Sequence, residues 1–201
     1  MSLYDLLDPL FIIRTLGLIG VVFIIFAESG LFFGFFFPGD SLLFTAGFLA
    51  SQDILPISWL LILCFIAAVL GDNIGYAFGK KTGPMIFNRE DSLFFHRKHI
   101  EKANIFYQKY GKKTIVLARF IPIIRTFAPI VAGVGNMNYK IFLSFNLIGG
   151  FIWTVGIISA GYFLGRMIPG IDQYLTIIIL VIVFISFIPV MIELLGLRKK
   201  R

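Results

Sequence analysis

The sequence predicts an all-α integral membrane protein with inverted repeats, two opposed re-entrant helical hairpins and about four transmembrane helices. Three observations carry this prediction: the apolar composition, an uneven distribution of charge, and an internal repeat. Of the 201 residues, 58% are hydrophobic and the mean hydropathy is +0.92. These values exceed those of soluble domains, so we expect one membrane domain over residues 1–201.

The apolar blocks of the chain fall into two kinds. A full crossing of the hydrocarbon core takes about 20 helical residues. Four uninterrupted blocks approach or exceed this length, at 10–27, 56–79, 141–165 and 173–197. Blocks 29–51 and 114–136 are instead broken near their middles by prolines and charged residues. Each of these two is predicted to enter and leave the membrane on the same side.

The distribution of charge predicts the orientation. The segment from Lys80 to Lys113 has nine Lys or Arg residues against three acids, and the chain ends in four basic residues. Both regions are therefore expected in the cytoplasm. Spans 141–165 and 173–197 already supply the even number of crossings between these regions, so hairpin 114–136 must open to the cytoplasm. Span 56–79 must then run from the outside to the cytoplasm, so hairpin 29–51 opens to the outside. Block 10–27 is then a full crossing, which predicts a cytoplasmic N-terminus.

An internal repeat supports opposed hairpins. Two motifs recur at an offset of 86 residues: Ala46-Gly47 as Ala132-Gly133, and Gly75-Tyr76-x-x-Gly79-Lys80 as Gly161-Tyr162-x-x-Gly165-Arg166. Repeat one covers about residues 10–80 and repeat two about residues 96–166. Because the hairpins enter from opposite sides, the repeats are predicted to be inverted. Broken helices of inverted repeats meet near the midplane in many secondary transporters.

Four charged residues lie inside the two broken blocks: Glu28, Asp40, Arg119 and Arg125. Insertion of an unpaired Asp or Arg at mid-membrane costs roughly 2.5–3.5 kcal/mol. The two acids are therefore predicted to face the two arginines across a wet central cavity. Simpler explanations stay open: Asp40 as a helix cap, Glu28 at the membrane interface, and Arg119 reaching back to the cytoplasmic surface.

The predicted hairpin tips are Pro38, Gly39 and Pro122. Guanidinium groups bind phosphate through paired hydrogen bonds and keep their charge, so Arg119 and Arg125 are candidate ligands of a lipid phosphate. The carboxylates of Glu28 and Asp40 can take up protons. Our hypothesis is an exchange in which protonation of an acid releases an arginine to hold the phosphate.

Three other polar residues are secondary candidates: Asp72, Asn73 and Asn146. Hydration at the cytoplasmic edge is the simpler explanation for the first two, and helix packing for Asn146. No metal or cofactor site is predicted. Basic and aromatic residues alternate over 94–113, which indicates a helix on anionic headgroups. Nucleic acid binding is not expected, because the positive charge adjoins the membrane segments.

The combined motifs resemble the DedA family of VTT-domain membrane proteins. The resemblance rests on Glu28 and on four motifs: Phe37-Pro38-Gly39-Asp40-Ser41-Leu42-Leu43, Arg119-Phe120-Ile121-Pro122, Arg125-Thr126 and Ala132-Gly133. It implies a bacterial inner-membrane protein whose domain is shared with eukaryotic lipid scramblases. Family members are implicated in returning undecaprenyl phosphate or phospholipid across the membrane, with links to the proton-motive force. The resemblance also marks the four charged residues as functional.

Other functions stay open at this point. A proton-coupled antiporter of small cations or drugs would use Glu28 and Asp40 as its exchange site. A membrane scaffold without transport would need the charges only to dock the hairpins. An enzyme acting on lipid phosphates is not expected, because the apolar core offers no histidine and no known nucleophile motif. The identity of the lipid, and the choice between monomer and homo-oligomer, do not follow from the sequence.

Overall fold

A computed structural model describes residues 9–30, 39–87 and 114–167, together with residues 177 and 181. Every regular element in this part of the chain is helical, as predicted. The six helices are α1 (Pro9–Gly30), α2 (Gly39–Ser51), α3 (Ile57–Phe87), α4 (Thr114–Ala118), α5 (Pro122–Val134) and α6 (Tyr139–Met167).

Three of these helices are long and apolar enough to cross a membrane: α1 over Leu10–Gly30, α3 over Ile57–Gly83 and α6 over Tyr139–Met167. By position, length and composition they correspond to three of the four predicted spans. The fourth, 173–197, lies outside the described residues except for positions 177 and 181. Large apolar side chains such as Ile62 and Phe78 are about half exposed, as expected for lipid-facing surfaces.

The long helices α3 and α6 run antiparallel through the centre of the structure. The rings of Phe65 and Phe151 meet edge to face with centroids 6.2 Å apart. Further along, the rings of Tyr76 and Phe142 stack at 4.5 Å. Residue numbers therefore rise along α3 while those of its partners on α6 fall.

The short helices α2 and α5 each lie along one of the long helices. Glycines allow their backbones to come close, because an added Cβ would meet a main-chain carbonyl of the facing helix. These glycines are Gly47 and Gly161 between α2 and α6, and Gly79 and Gly133 between α3 and α5. Small residues at such contacts are typical of membrane helix pairs. All four glycines belong to the motifs that recur at an offset of 86 residues, so the repeated sequence marks two equivalent packing interfaces.

The two short helices begin at the same central level and extend toward opposite ends of the α3–α6 pair. Asp40 at the start of α2 is paired with Arg125 near the start of α5. From there α2 runs to Ser51, which lies against Gly165, whereas α5 runs to Val134, which lies against Gly83. With 13 residues each, these helices are too short to cross a hydrocarbon core of about 30 Å.

Helix α1 differs from its predicted boundaries. The sequence predicts a span over 10–27 followed by a hairpin from residue 29. Instead α1 continues to Gly30, where the backbone lies against Gly71 in the middle of α3. A kink at Gly17 interrupts α1, and the positive φ of 58° there is one that glycine adopts without strain.

Two of the three predicted hairpin-tip residues lie in the described part of the chain. Pro38 lies outside the described residues, and Gly39 is the first residue of α2. In block 114–136, α4 and α5 are separated by a turn at 119–121, and Pro122 begins α5. The predicted break in this block is therefore present, with proline at a helix start, where its missing N–H costs nothing.

Substitution of two glycines in α6 tests the packing. Gly161→Ala should lower the free energy of unfolding by about 1–3 kcal/mol, because the added methyl group would overlap the Phe44 carbonyl. Gly156→Ala is the matched control, since an added Cβ there has nothing within 4 Å. Thermal unfolding in detergent measures both. Equal melting temperatures would contradict the close contact.

Candidate functional site

Arg125 occupies the centre of the structure and joins three helices. Its side chain is buried and forms ion pairs with Glu28 of α1 and with Asp40 of α2, the latter through Nη1 and Oδ1 at 2.9 Å. Glu28 itself is fully buried. The structure therefore brings together three of the four charged residues that the sequence singles out, and Glu28 is enclosed by protein.

The carboxylate of Glu28 lies at the start of α2. The backbone N–H of Gly39 donates to Glu28 Oε1 at 3.3 Å. A side chain at position 39 would overlap this carboxylate, which explains why glycine follows the proline here. A negative charge at a helix N-terminus is favourable because it faces the positive end of the helix dipole.

Trp153 of α6 completes the surroundings of Arg125. The indole Nε1–H donates to Asp40 Oδ1 at 2.8 Å, and the ring lies 4.8 Å from the Arg125 guanidinium carbon. The guanidinium carbon of Arg119 lies 6.0 Å from the same ring. Trp153 thus holds an acid with its polar edge and contacts both cations through its π face.

Arg119 lies directly after α4, and its partners differ from the predicted Glu28 and Asp40. Its described partners are Asp72 of α3 and Asn146 of α6, both contacting Nη2. Asn146 also donates from Nδ2 to the Val69 carbonyl at 3.2 Å. Arg119 is 3% exposed, so it does not reach back to the surface. The prediction that it faces Glu28 and Asp40 is wrong.

The secondary candidates separate into two groups. Asp72 is 4% exposed and Asn146 is completely buried. Hydration at the membrane edge is therefore the wrong explanation for Asp72, and packing alone does not account for Asn146. Asn73 points elsewhere: it donates to the Val69 carbonyl of its own helix and accepts from the Tyr139 hydroxyl. The sequence signal for Asp72 was the same as for Asp40, an acid within an apolar segment.

Charge and hydrogen bonding in the cluster are not balanced. Three carboxylates (Glu28, Asp40 and Asp72) surround two guanidiniums, so the fully ionised cluster has one excess negative charge. The Nε atoms of both arginines and Oε2 of Glu28 are buried without a hydrogen-bond partner among the described residues. Buried polar atoms of this kind are rare and call for an explanation. The cluster therefore has two N–H donors and one carboxylate acceptor that can still form hydrogen bonds with a ligand.

The helix termini add to the capacity for anions. Both α2 and α5 start at the cluster, so the positive ends of their helix dipoles lie beside it. Among the described residues, no group of three His, Cys, Asp or Glu side chains is arranged to hold a metal ion. The arrangement is suited to an anionic group that competes with carboxylates for arginine.

Comparison with known proteins identifies the relatives of this chain. A sequence model described as the VTT domain matches residues 37–163. Protein DedA of Escherichia coli K12 is 44% identical over 89% of this chain and 81% of its own length. The chain belongs to the DedA family. The VTT-domain match over residues 37–163 contains four of the five charged residues of the central cluster. Asp40, Asp72, Arg119 and Arg125 lie inside it, and Glu28 lies before it.

Two further relatives differ in their similarity. An uncharacterized membrane protein of Mycobacterium tuberculosis H37Rv is 41% identical over 98% of this chain and 89% of its own length. Inner membrane protein YqjA of Escherichia coli K12 is 30% identical over 71% of this chain and 65% of its own length. No solved structure matches this DedA-family chain.

A double-mutant cycle tests the buried pair of Asp72 and Arg119. Asp72→Asn alone should lower the free energy of unfolding by about 3–5 kcal/mol, because it leaves a buried guanidinium without its counter-charge. The double variant Asp72→Asn/Arg119→Gln should recover most of this loss. Melting of each variant in detergent provides the measurement.

Asp53→Asn serves as the control for this cycle. Asp53 lies 3.9 Å from Arg166 in an exposed pair, and exposed pairs contribute at most about 1 kcal/mol. If Asp72→Asn proved as mild as Asp53→Asn, the pairing of Asp72 with Arg119 would not be a stabilising feature of the fold.

Proposed function

We propose that this protein moves a phosphate-bearing lipid, such as undecaprenyl phosphate or a phospholipid, across the bacterial inner membrane by a proton-linked flippase or scramblase mechanism. The observation that carries the proposal is the buried Arg125, which is held by two carboxylates at the point where two helix N-termini converge. Membership in the DedA family is compatible with this function, and one relative, YqjA of Escherichia coli K12, is named as an inner membrane protein.

Arg119 and Arg125 are the proposed ligands of the lipid phosphate. A phosphate oxygen can accept from a guanidinium as a carboxylate does, and bidentate pairs of this kind are strong. Each arginine keeps a buried Nε–H without a hydrogen-bond partner among the described residues. Both guanidiniums also lie close to the ring of Trp153. One headgroup entering between them would meet unused donors and two positive helix ends.

Glu28 and Asp40 are the proposed proton carriers. Because both share Arg125, one proton on either acid leaves a single ion pair and removes the excess negative charge of the cluster. The protonated acid no longer competes for the guanidinium, so a phosphate can replace it. Loss of the proton restores the carboxylate and expels the phosphate. Asp72 stays with Arg119 in this scheme and keeps its guanidinium oriented.

A pair of re-entrant hairpins is the proposed membrane arrangement. Helices α1 and α2 would form one hairpin and α4 and α5 the other, related as inverted repeats. Support comes from the short helices, which start at the centre and extend to opposite ends, and from the contact of Gly30 with the middle of α3. Arms that end at mid-membrane beside a charged cluster are how substrate sites are built in many transporters.

This arrangement changes the proposed position of the N-terminus. The start of α1 contributes Ile12 and Ile13 to the same buried cluster as Leu55 and Leu60. If α1 is the first arm of a hairpin, the N-terminus lies on the side of the turn at 52–56. With Lys80 and the C-terminus in the cytoplasm, we propose that the N-terminus is on the outer side.

Transport by purified protein in liposomes tests the function. Four variants, Glu28→Gln, Asp40→Asn, Arg119→Lys and Arg125→Lys, should each slow the flipping of a fluorescent phosphate lipid by about tenfold or more. Each removes a charge-assisted hydrogen bond of roughly 1.5–3 kcal/mol or a bidentate contact. Undecaprenyl phosphate, phosphatidylethanolamine and phosphatidylglycerol are compared with and without a pH gradient. Asp53→Asn is the control.

The outcomes separate the three candidate functions. Wild-type rates in all four variants would overturn the proposed site. Proton release on addition of small cations or drugs, without movement of lipid, would instead identify an antiporter. A wild-type protein that moves no lipid, with variants that lose only thermal stability, would identify a scaffold.

Labelling of single cysteines tests the arrangement of the hairpins. In a Cys64→Ala background, a membrane-impermeant thiol reagent is applied to intact cells carrying Ser2→Cys, Asp53→Cys or Lys81→Cys. Ser2→Cys and Asp53→Cys should react, because both would face outward, whereas Lys81→Cys should react only after lysis. Joint protection of Ser2→Cys and Lys81→Cys would mean that α1 crosses the membrane completely and would contradict the hairpin of α1 and α2.

A further inference from the structure

A groove along the outward face of α3 lies apart from the central cluster. The groove is open to one side and has a volume of about 680 Å³. Its lining is mainly apolar and includes Phe26 of α1 and Leu70, Ile74 and Ala77 of α3. Two lysines, Lys80 and Lys81, lie at one end. Asp72 belongs to the other face of α3, so the groove and the cluster share a helix but no charged residue.

The length of the groove matches one leaflet of a bilayer. From Leu70 to Lys80 the helix rises about 15 Å, which is half of a hydrocarbon core of about 30 Å. Leu70 lies next to Gly71, where α1 ends, and near the midpoint of the apolar segment Ile57–Gly83. The apolar part therefore runs from mid-membrane to the level at which headgroups begin.

The polar groups along the wall are already satisfied. The Tyr139 hydroxyl donates to Asn73 Oδ1 at 3.0 Å, and Asn73 Nδ2 donates to the Val69 carbonyl at 2.8 Å. The Tyr76 hydroxyl donates to the carbonyl of Met137. An occupant of the groove thus meets an apolar surface along most of its length, which excludes a small polar solute.

The lysines are the charged end of this surface. Both are exposed, and no carboxylate of the described residues forms an ion pair with either ammonium. Long lysine side chains extend along apolar surface and place the ammonium among headgroups. Basic residues near a membrane surface are attracted to anionic lipid headgroups, by about 1 kcal/mol for each Lys or Arg. Shape and charge therefore favour a molecule with one apolar chain and one anionic head.

We infer that this groove binds one anionic phospholipid of the leaflet on the Lys80 side. An acyl chain lies against Leu70, Ile74 and Ala77, and the phosphate is held by Lys80 and Lys81. The site is independent of the proposed transport, because neither Arg119 nor Arg125 takes part in it. A lipid held there would cover the face of α3 that lies opposite Asp72.

Native mass spectrometry of the detergent-purified full chain tests this site. Phosphatidylglycerol or phosphatidylcholine is added at equal concentration, and the number of retained lipids is measured. Wild-type protein should retain one phosphatidylglycerol in preference to phosphatidylcholine. Lys80→Gln/Lys81→Gln should lower that preference by about tenfold or more, and Ala77→Trp should lower retention of both lipids by filling the groove. Glycerol phosphate, which has no acyl chain, should not displace the bound lipid.

A control variant makes the result specific. Arg166→Gln removes an exposed positive charge at the opposite end of α6 and should retain phosphatidylglycerol as wild type does. Equal retention of the two lipids by wild-type protein would overturn the inference. So would loss of the preference in Arg166→Gln, unchanged binding in Ala77→Trp, or displacement by glycerol phosphate. An unchanged preference for phosphatidylglycerol in Lys80→Gln/Lys81→Gln would assign the lipid to the central cluster instead.

Discussion

The ion pairs of Arg125 are the interaction on which the rest of the structure depends. A guanidinium in the middle of an apolar helix cluster requires counter-charges, and Glu28 and Asp40 come from two other helices. Their positions in turn require α1 and α2 to end and begin beside α5. The need to neutralise one buried cation therefore explains why two short helices start at the same level. Glycine contacts then hold these helices against α3 and α6.

The pattern of apolar and charged residues was sufficient to predict much of this fold. Three long helices, the break before Pro122 and the convergence of Glu28 and Asp40 on Arg125 follow from the cost of buried charge. The offset of 86 residues also marked Gly47 and Gly133, which occupy equivalent contacts. These features are predictable because each reflects a local constraint: helix length, a missing N–H or an absent side chain.

Other features depended on tertiary geometry that no local pattern contains. Arg119 pairs with Asp72 of α3 and Asn146 of α6. The choice of Asp72 over Glu28 and Asp40 depends on distances in the folded chain. Trp153 has no sequence signal that separates it from an interfacial anchor, yet it binds Asp40. The predicted end of the first span at residue 27 is too early, because Ser29 and Gly30 continue the helix. The backbone at Gly30 packs against Gly71 of α3.

The two buried arginines differ in how tightly their charge is compensated, and this difference indicates a division of labour. Arg119 has one carboxylate and one amide, and the amide oxygen of Asn146 carries no charge to be displaced. Arg125 has two carboxylates, so one of them is in excess and can be neutralised by a proton without leaving a bare cation. If the protein moves a phosphate lipid as proposed, exchange of a carboxylate for a phosphate is therefore easiest at Arg125. In the proposed mechanism Arg119 therefore stays fixed, and its Nε–H, which has no partner among the described residues, is the second contact for the headgroup.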